Sequence, residues 1–482
     1  MQKLNENVIK KQVYPEKILQ FGEGNFMRAF VDWKIDLLNQ KTDFNGSVVV
    51  VQPIEQGLVN QLNEQDGLYT LYLQGIKNGE AVKEHSVIQS ISRGLDLMTD
   101  YDEYLKVAEN PELRFIFSNT TEAGITYDET DQLTDKPQKT FPGKLTAFLY
   151  HRYQIFQGDS NKGFILIPCE LIEQNGQKLE EIVLRYAEQW DLGADFINWI
   201  HEGNTFCNSL VDRIVPGYPK DTIEEITEEL GYRDELVVVG EQYHLWVIEG
   251  PEWIQDEFPV DQIGLNVLFV EDLTPYRTMK VRILNGAHTA MTPVSYLYGL
   301  DTVREAIEHE VTGQFVKDLI EQEIIPILDL PSDETKKFAN DVIDRFLNPF
   351  VKHYLMDISL NSISKYQTRN LPSLLDYVNQ KHELPKRFVF SLAALILFYE
   401  GKRGEETIQL SDDQHILEFF EMQWSTYDGS KESIVNIVTN ILDKQTYWGQ
   451  NLNEVPRLRD LVADYLFEIK TNGIQNAIKI FK

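Results

Sequence analysis

Phe26, Ala29, Phe30, Trp33 and Leu37 recur at i, i+3, i+4, i+7 and i+11, the spacing that places apolar side chains along one face of a helix. Residues 17–21 (KILQF) before them read as a strand and residues 22–24 (Gly-Glu-Gly) as a turn, so the chain opens strand, turn, helix. Residues 47–51 (SVVVV) form a continuous apolar run, expected of a strand covered on both faces in a parallel sheet. Residues 114–117 (RFIF) and 163–167 (GFILI) give two more strands, each running into polar residues or Pro168. Strands of this kind alternating with helices predict an α/β fold, a Rossmann-like doubly wound sheet whose ligands lie at the carboxyl ends of the strands. The acidic stretch 128–139 predicts a surface loop.

The pattern changes near residue 275. Beyond it the apolar spacing is helical over 303–328, 334–347, 388–399 and 434–442, and extended β runs are missing. The expected organisation is therefore a dinucleotide-binding domain over 1–275 and a mainly α-helical substrate-binding and catalytic domain over 276–482. Residues 388–399 are the most apolar stretch, but they fall short of the roughly 18 residues a membrane span needs and contain Ser391, which predicts a buried helix.

Composition narrows the partners. Hydrophobic residues at 42% and charged residues at 25% are values of a globular chain with a sizeable core. Acidic residues outnumber basic ones 76 to 45, a net charge of -31, so nucleic acid and anionic membrane are poor partners, while a local cationic pocket can still hold a small anion. Two cysteines without a CxxC pair suggest a reducing compartment, and residues 1–11 lack the apolar core of a signal peptide; a cytoplasmic protein is expected. The oligomeric state is not legible. The nine histidines form no HExxH or HxH pair, and no metal site is expected.

Two constellations can carry chemistry. In the first turn, Gly22 and Gly24 let the backbone bend tightly and approach a pyrophosphate at the start of a helix, with Phe21, Asn25, Phe26 and Arg28 around them. Met27 stands where a third glycine is usual, and a plain strand-to-helix turn is the competing reading. Gln52 closes the second strand where a ribose-binding acid is usual, and no Lys or Arg occurs from residue 42 to 76 to clamp a 2′-phosphate, so NAD is expected over NADP. The second constellation is Lys280, Asn285 and His288. At helical spacing they lie at roughly 0°, 140° and 80°, able to face one cleft, although a surface lysine and satisfied polar neighbours are the plainer reading. A lysine there can exchange a proton, an amide can polarise a carbonyl and an imidazole can orient a hydroxyl.

Together these segments resemble the polyol-specific long-chain dehydrogenase family, that of mannitol 2-dehydrogenase. Its G-x-G-x-F-x-R turn is matched by Gly22, Gly24, Phe26 and Arg28, and its K-x4-N-x2-H helix by Lys280, Asn285 and His288. Similar stretches follow at 65–70 (QDGLYT), 117–125 (FSNTTEAGI), 211–214 (VDRI), 246–251 (WVIEGP) and 390–401 (FSLAALILFYEG). The resemblance implies reversible, NAD-linked, metal-independent hydride transfer with Lys280 as general acid and base. Stretches 14–39, 167–176 and 283–294 point to a branch acting on a small sugar acid. Where mannitol dehydrogenases read C-D-N and use the asparagine as a second carbonyl donor, this chain has Cys169-Glu170-Leu171, leaving Asn175 or a backbone N–H to substitute. The sugar acid's carboxylate needs a cation, and the polar segment containing His353, Lys365 and Arg369 falls where the family's substrate contacts lie; a solvated loop before Leu371 is the alternative. Other open-chain sugars within the same chemistry remain as alternatives, and from a different class a non-catalytic NAD-binding regulator.

Overall fold

The computed structural model describes residues 1–77, 79–120 and 124–481, so Thr121, Glu122 and Ala123 of the 117–125 stretch lie outside the described residues. The chain forms two compact units, Met1–Gly75 with Val82–Leu273, and Ile76–Ala81 with Thr274–Lys482.

In the first unit six strands lie side by side: β1 (Glu16–Phe21), β2 (Ser47–Gln52), β3 (Ile91–Asp96), β4 (Phe115–Ser118), β5 (Ile165–Pro168) and β6 (Thr205–Phe206). Their order is β3-β2-β1-β4-β5-β6 and every pairing is parallel, the doubly wound arrangement expected from the sequence. The order reverses between β1 and β4, which makes the ends of these two strands the switch point where such sheets take ligands. The period of two sorts the side chains: Ile18, Val48, Val50, Phe115 and Phe117 enter one core, and Leu19, Phe21, Val49, Val51 and Ile116 the other. All of β2 is buried, as its unbroken run of valines requires.

Two smaller sheets were not apparent from the periodicity. One joins Val238–Glu241, Tyr69–Lys77 and Glu80–Ile88, and the other Val267–Val270, Leu245–Glu249 and Asn208–Asp212. Residues 128–139 are irregular, as expected, and are drawn together by buried Asp131, which accepts from the Thr140 N–H at 2.9 Å and the Thr140 hydroxyl at 2.8 Å.

From Thr274 on, the described residues of the second unit form helices and one hairpin of Lys402–Arg403 and Glu406–Thr407, while its Ile76–Ala81 segment carries ends of the strands Tyr69–Lys77 and Glu80–Ile88. Helix Lys386–Phe398 is buried at every position from Phe388 onward, and Ser391 is accommodated because its hydroxyl donates to the Ala290 carbonyl at 2.8 Å. Among the described residues no helix is long and apolar enough to cross a membrane. Three helical stretches of this unit contain a π-turn, at Lys280–Asn285, Leu319–Ile324 and Tyr366–Asn370. The last two run into Pro326 and Pro372, whose rings need room against the preceding turn, and a widened turn provides it. The segment around Lys365 and Arg369 is accordingly helical from Ser362 through Lys381, and the loop alternative does not hold.

Candidate active site

The turn after β1 is shaped by close approach. Gly22 has φ +105°, and a Cβ there would lie 2.9 Å from the Asn119 carbonyl oxygen at the end of β4, so the switch point admits only glycine without strain. Gly24 differs: it has φ -63°, and a Cβ would meet nothing within 4 Å, which leaves open space over the start of the helix at Asn25. A tight turn, an uncovered backbone and a helix start at the switch point fit the pyrophosphate of a dinucleotide. Phe21 closes the turn from the core, packed on Phe141 at 4.8 Å, and the half-buried Phe26 stacks on Phe30 at 4.9 Å.

Arg28 supports the turn from beneath. It is fully buried, its Nε donates to the Glu23 carbonyl at 3.1 Å, Nη2 to the Asn25 Oδ1 at 2.8 Å, and Nη1 to the Leu236 carbonyl. Burial lowers its affinity for its proton from the usual guanidinium range. A second support runs from Gln20, whose Nε2 donates to the Gly22 carbonyl at 3.0 Å and to Asp32 Oδ2 at 3.1 Å. Asp32 is completely buried, and this burial pushes its carboxyl up to about 7 against the pull of Gln20 and Arg28.

Gln52 is buried at the end of β2. Its Nε2 donates to the carbonyls of Ile54 at 3.0 Å and Glu55 at 3.3 Å, and its Oε1 accepts from the Val59 N–H at 3.3 Å. Glu23 Oε1 accepts from the Leu58 N–H at 3.2 Å, and burial raises its carboxyl above the usual range. A Cβ on Gly57 would lie 2.2 Å from Glu23 Oε1 and 2.3 Å from Gln52 Oε1, so this loop closes over both side chains because residue 57 has none. Gln52 thus holds the loop whose backbone follows the second strand.

Asn175 is not available to a substrate oxygen. Its Nδ2 donates toward the carbonyls of Pro168, Glu170 and Ser209 at 3.0–3.1 Å, and its Oδ1 accepts from the N–H groups of Gly176 and Ser209 at 2.9 Å. This corrects the expectation from the sequence: a buried amide ties the end of β5 to the following helix. Glu170 is equally committed, accepting from the Ser118 hydroxyl and from both the N–H and hydroxyl of Thr120, whereas Leu171 is exposed.

In the second unit the π-turn decides the geometry. Lys280–Asn285 closes every fifth residue rather than every fourth, so five residues advance little more than one turn. Asn285 comes to within roughly 50° of Lys280, and His288, three α-helical residues farther on, to about 10° on the other side. The straight-helix wheel spreads them over about 140°; the widened turn gathers them onto one face. Lys280 and Asn285 are half-buried and His288 is buried.

His288 is ringed by other groups. Its ring lies 4.3 Å from Phe346 and 4.9 Å from His353, and its Nε2 is buried without a hydrogen-bond partner. Burial, and after it the charges of His353, Arg345, Arg369 and Lys365, hold its imidazole well below the usual range. Arg369 Nη1 donates to the Thr289 hydroxyl at 3.4 Å, so Arg369 and His353 lie against the helix that bears His288, while Lys365 donates to the Ile358 carbonyl at 2.8 Å. Arg345, whose charge acts on His288, is in sequence an ordinary charged position on an amphipathic helix. Among the described residues no group of three or more His, Cys, Asp or Glu is placed to hold a metal ion.

Two family models match the chain: the mannitol dehydrogenase Rossmann domain over residues 16–262 and the mannitol dehydrogenase C-terminal domain over residues 272–470. The chain is 60% identical over 480 residues to the altronate oxidoreductase of Bacillus subtilis (strain 168), covering 99% of this chain and 98% of that protein. It is 48% identical over 480 residues to the altronate oxidoreductase of Escherichia coli O9:H4 (strain HS), covering 99% of each. To that of Yersinia pestis it is 46% identical over 482 residues, covering 100% of each. A crystal structure of D-sorbitol dehydrogenase in substrate-free form matches with a TM-score of 0.81 at 22% identity, over 99% of this chain and 100% of that one. Pseudomonas fluorescens mannitol 2-dehydrogenase, a ternary complex with NAD and D-mannitol, matches with a TM-score of 0.68 at 22% identity, over 100% and 99%. At that identity the two structures speak for the fold.

Proposed function

We propose that this chain, which belongs to the mannitol dehydrogenase family through both of its units, is an NAD-dependent oxidoreductase that reduces D-tagaturonate to D-altronate in hexuronate breakdown, and that it runs the reaction in reverse. The observation that carries this reading is the identity, over essentially the full length, to proteins named altronate oxidoreductase. In it, residues 1–275 bind the dinucleotide and residues 276–482 bind the sugar acid and move the proton.

NADH, when bound, supplies the hydride. The turn from Phe21 to Arg28 holds the pyrophosphate through backbone N–H groups at Gly24, Asn25 and Phe26, with Arg28 keeping that backbone in place. The loop after Gln52 contributes backbone and Glu55 but no cation between residues 42 and 76, which disfavours a 2′-phosphate and selects NAD. Lys280 gives a proton to the carbonyl oxygen as the carbon is reduced, and takes it back in the oxidative direction. Asn285, turned onto the same face by the π-turn, donates to that oxygen and polarises the bond. His288 stays neutral and orients a substrate hydroxyl. Lys365 and Arg369, with His353, hold the carboxylate. Lys280 does the proton work that a metal-bound water does elsewhere, so the reading needs no metal. The enzyme works in the cytoplasm, where its buried thiols Cys169 and Cys207 remain unpaired.

The test is NADH consumption by the purified chain with D-tagaturonate and D-fructuronate in the same assay. Turnover of tagaturonate with a clear preference supports the reading. Preference for fructuronate or an uncharged ketose moves the activity to another branch of the family, and no turnover of any of them leaves a dinucleotide-binding protein without this chemistry.

A further inference from the structure

We propose that Glu23, the residue between Gly22 and Gly24, is the specificity-determining acid of the cofactor site: its carboxylate accepts from the hydroxyls of the adenosine ribose and repels a 2′-phosphate, so that it selects NAD over NADP. The proposal rests on the dinucleotide binding proposed above and assigns the acid that the end of β2 lacks.

The turn after β1 and the end of β2 are held side by side. Phe21 pairs with Val51, and the Gly22 N–H donates to the Val51 carbonyl at 2.9 Å. From this turn the Glu23 side chain reaches across to the loop that follows β2, where its Oε1 accepts from the Leu58 N–H at 3.2 Å. The adenosine ribose is joined directly to the pyrophosphate. A dinucleotide seated on the open backbone at Gly24 therefore carries that ribose toward the end of β2, and Glu23 spans the same interval.

The usual position of the acid is taken by Gln52, whose amide is already in use. Its Nε2 donates to the carbonyls of Ile54 and Glu55, and its Oε1 accepts from the Val59 N–H. Glu23 and Gln52 thus do the same work on successive N–H groups, those of Leu58 and Val59, beneath the bare Cα of Gly57. The amide of Gln52 shows that holding this loop needs no charge. A carboxylate only 7% exposed is costly to keep ionised, and the Leu58 N–H occupies one of its two oxygens. The vicinal hydroxyls of a ribose supply two donors suited to such a carboxylate, whereas a 2′-phosphate brings a like charge against it. Glu55, exposed on the loop, and Asp96, which pairs with Gln52 from β3, are acids of the same corner and serve as comparisons.

The experiment reads binding without turnover. NADH, NADPH, ADP-ribose and 2′-phospho-ADP-ribose are titrated calorimetrically into the full-length wild type, Glu23→Gln, Glu23→Ser, Glu55→Gln and Asp96→Asn. The wild type is expected to bind NADH at least about tenfold more tightly than NADPH, and ADP-ribose over its 2′-phosphate by a similar factor, since the discrimination needs no nicotinamide. Glu23→Gln keeps an acceptor for the Leu58 N–H, so its thermal unfolding should stay close to the wild type while both ratios fall by at least about fivefold. Glu23→Ser should lower them likewise, and Glu55→Gln and Asp96→Asn should lower them less. Wild-type ratios in a folded Glu23→Gln or Glu23→Ser overturn the proposal, as does a larger fall in Glu55→Gln or Asp96→Asn. If the wild type binds NADH and NADPH alike, the dinucleotide site stands and the proposal fails. If it binds neither, the dinucleotide reading fails with it.

Discussion

The imidazole rings of His288 and His353 stand edge to face, 4.9 Å between centroids at 74°. Burial, the largest cause for each, holds both below the usual imidazole range. In the folded chain they stay neutral where the unfolded chain takes up protons. The stability that follows from this is complete above about pH 6.5 and is lost as pH falls through that value toward the depressed folded one. His288→Gln removes one such group. Between pH 7 and 5 the wild type should lose about 1 to 2 kcal/mol more unfolding free energy than His288→Gln, read by denaturant titration. Parallel pH profiles would show that His288 is protonated in the folded chain.

Asp32 has the opposite sign. Its carboxyl, pushed up to about 7 by burial, keeps its proton in the folded chain where the unfolded one has released it. Its stabilising effect is greatest at acid pH and declines as pH rises from about 4 to about 7. Asp32→Asn should remove that decline, gaining on the wild type by up to about 1.4 kcal/mol per pH unit across the window. A variant that tracks the wild type from pH 4 to 8 refutes the buried, protonated carboxyl.

Gly22 and Gly24 should separate folding from binding. Gly22→Ala puts a Cβ against the Asn119 carbonyl at positive φ, and should cost about 1 to 3 kcal/mol of stability together with NADH affinity. Gly24→Ala meets nothing, so its unfolding free energy should stay within about 0.5 kcal/mol while the Kd for NADH rises, because the new methyl occupies the space of the pyrophosphate. Unchanged NADH affinity in Gly24→Ala would remove the turn from the cofactor site.

The central strands were legible because a parallel sheet covered on both faces writes short, mostly apolar runs: 17–21, 47–51, 114–117 and 163–167 lie within two residues of β1, β2, β4 and β5. β3 was not, since an edge strand carries Ser92 and Arg93, and β6 is two residues long. Lys280, Asn285 and His288 were legible as a motif able to face one cleft, but the π-turn that runs from Lys280 to Asn285 was not, because no periodicity announces it. Asn175 was misjudged because a buried amide and an exposed one look alike in sequence.

Lys280→Ala should leave the Kd for NADH within a few-fold while lowering turnover by about two to four orders of magnitude, the range for removing a general acid and base. Asn285→Ala should lower turnover with a smaller change in KM, as expected of a donor that acts as the carbonyl polarises. If Asn285→Ala changes only KM, the amide binds ground and transition state alike.

The most direct measurement follows the hydride itself: D-tagaturonate is incubated with the chain and NADH deuterated at the transferable position, and the product is analysed by mass spectrometry. The proposed activity requires D-altronate carrying one deuterium at the reduced carbon, formed in step with NADH loss and almost absent with Lys280→Ala. Unlabelled D-altronate, or NADH loss without D-altronate, would contradict it.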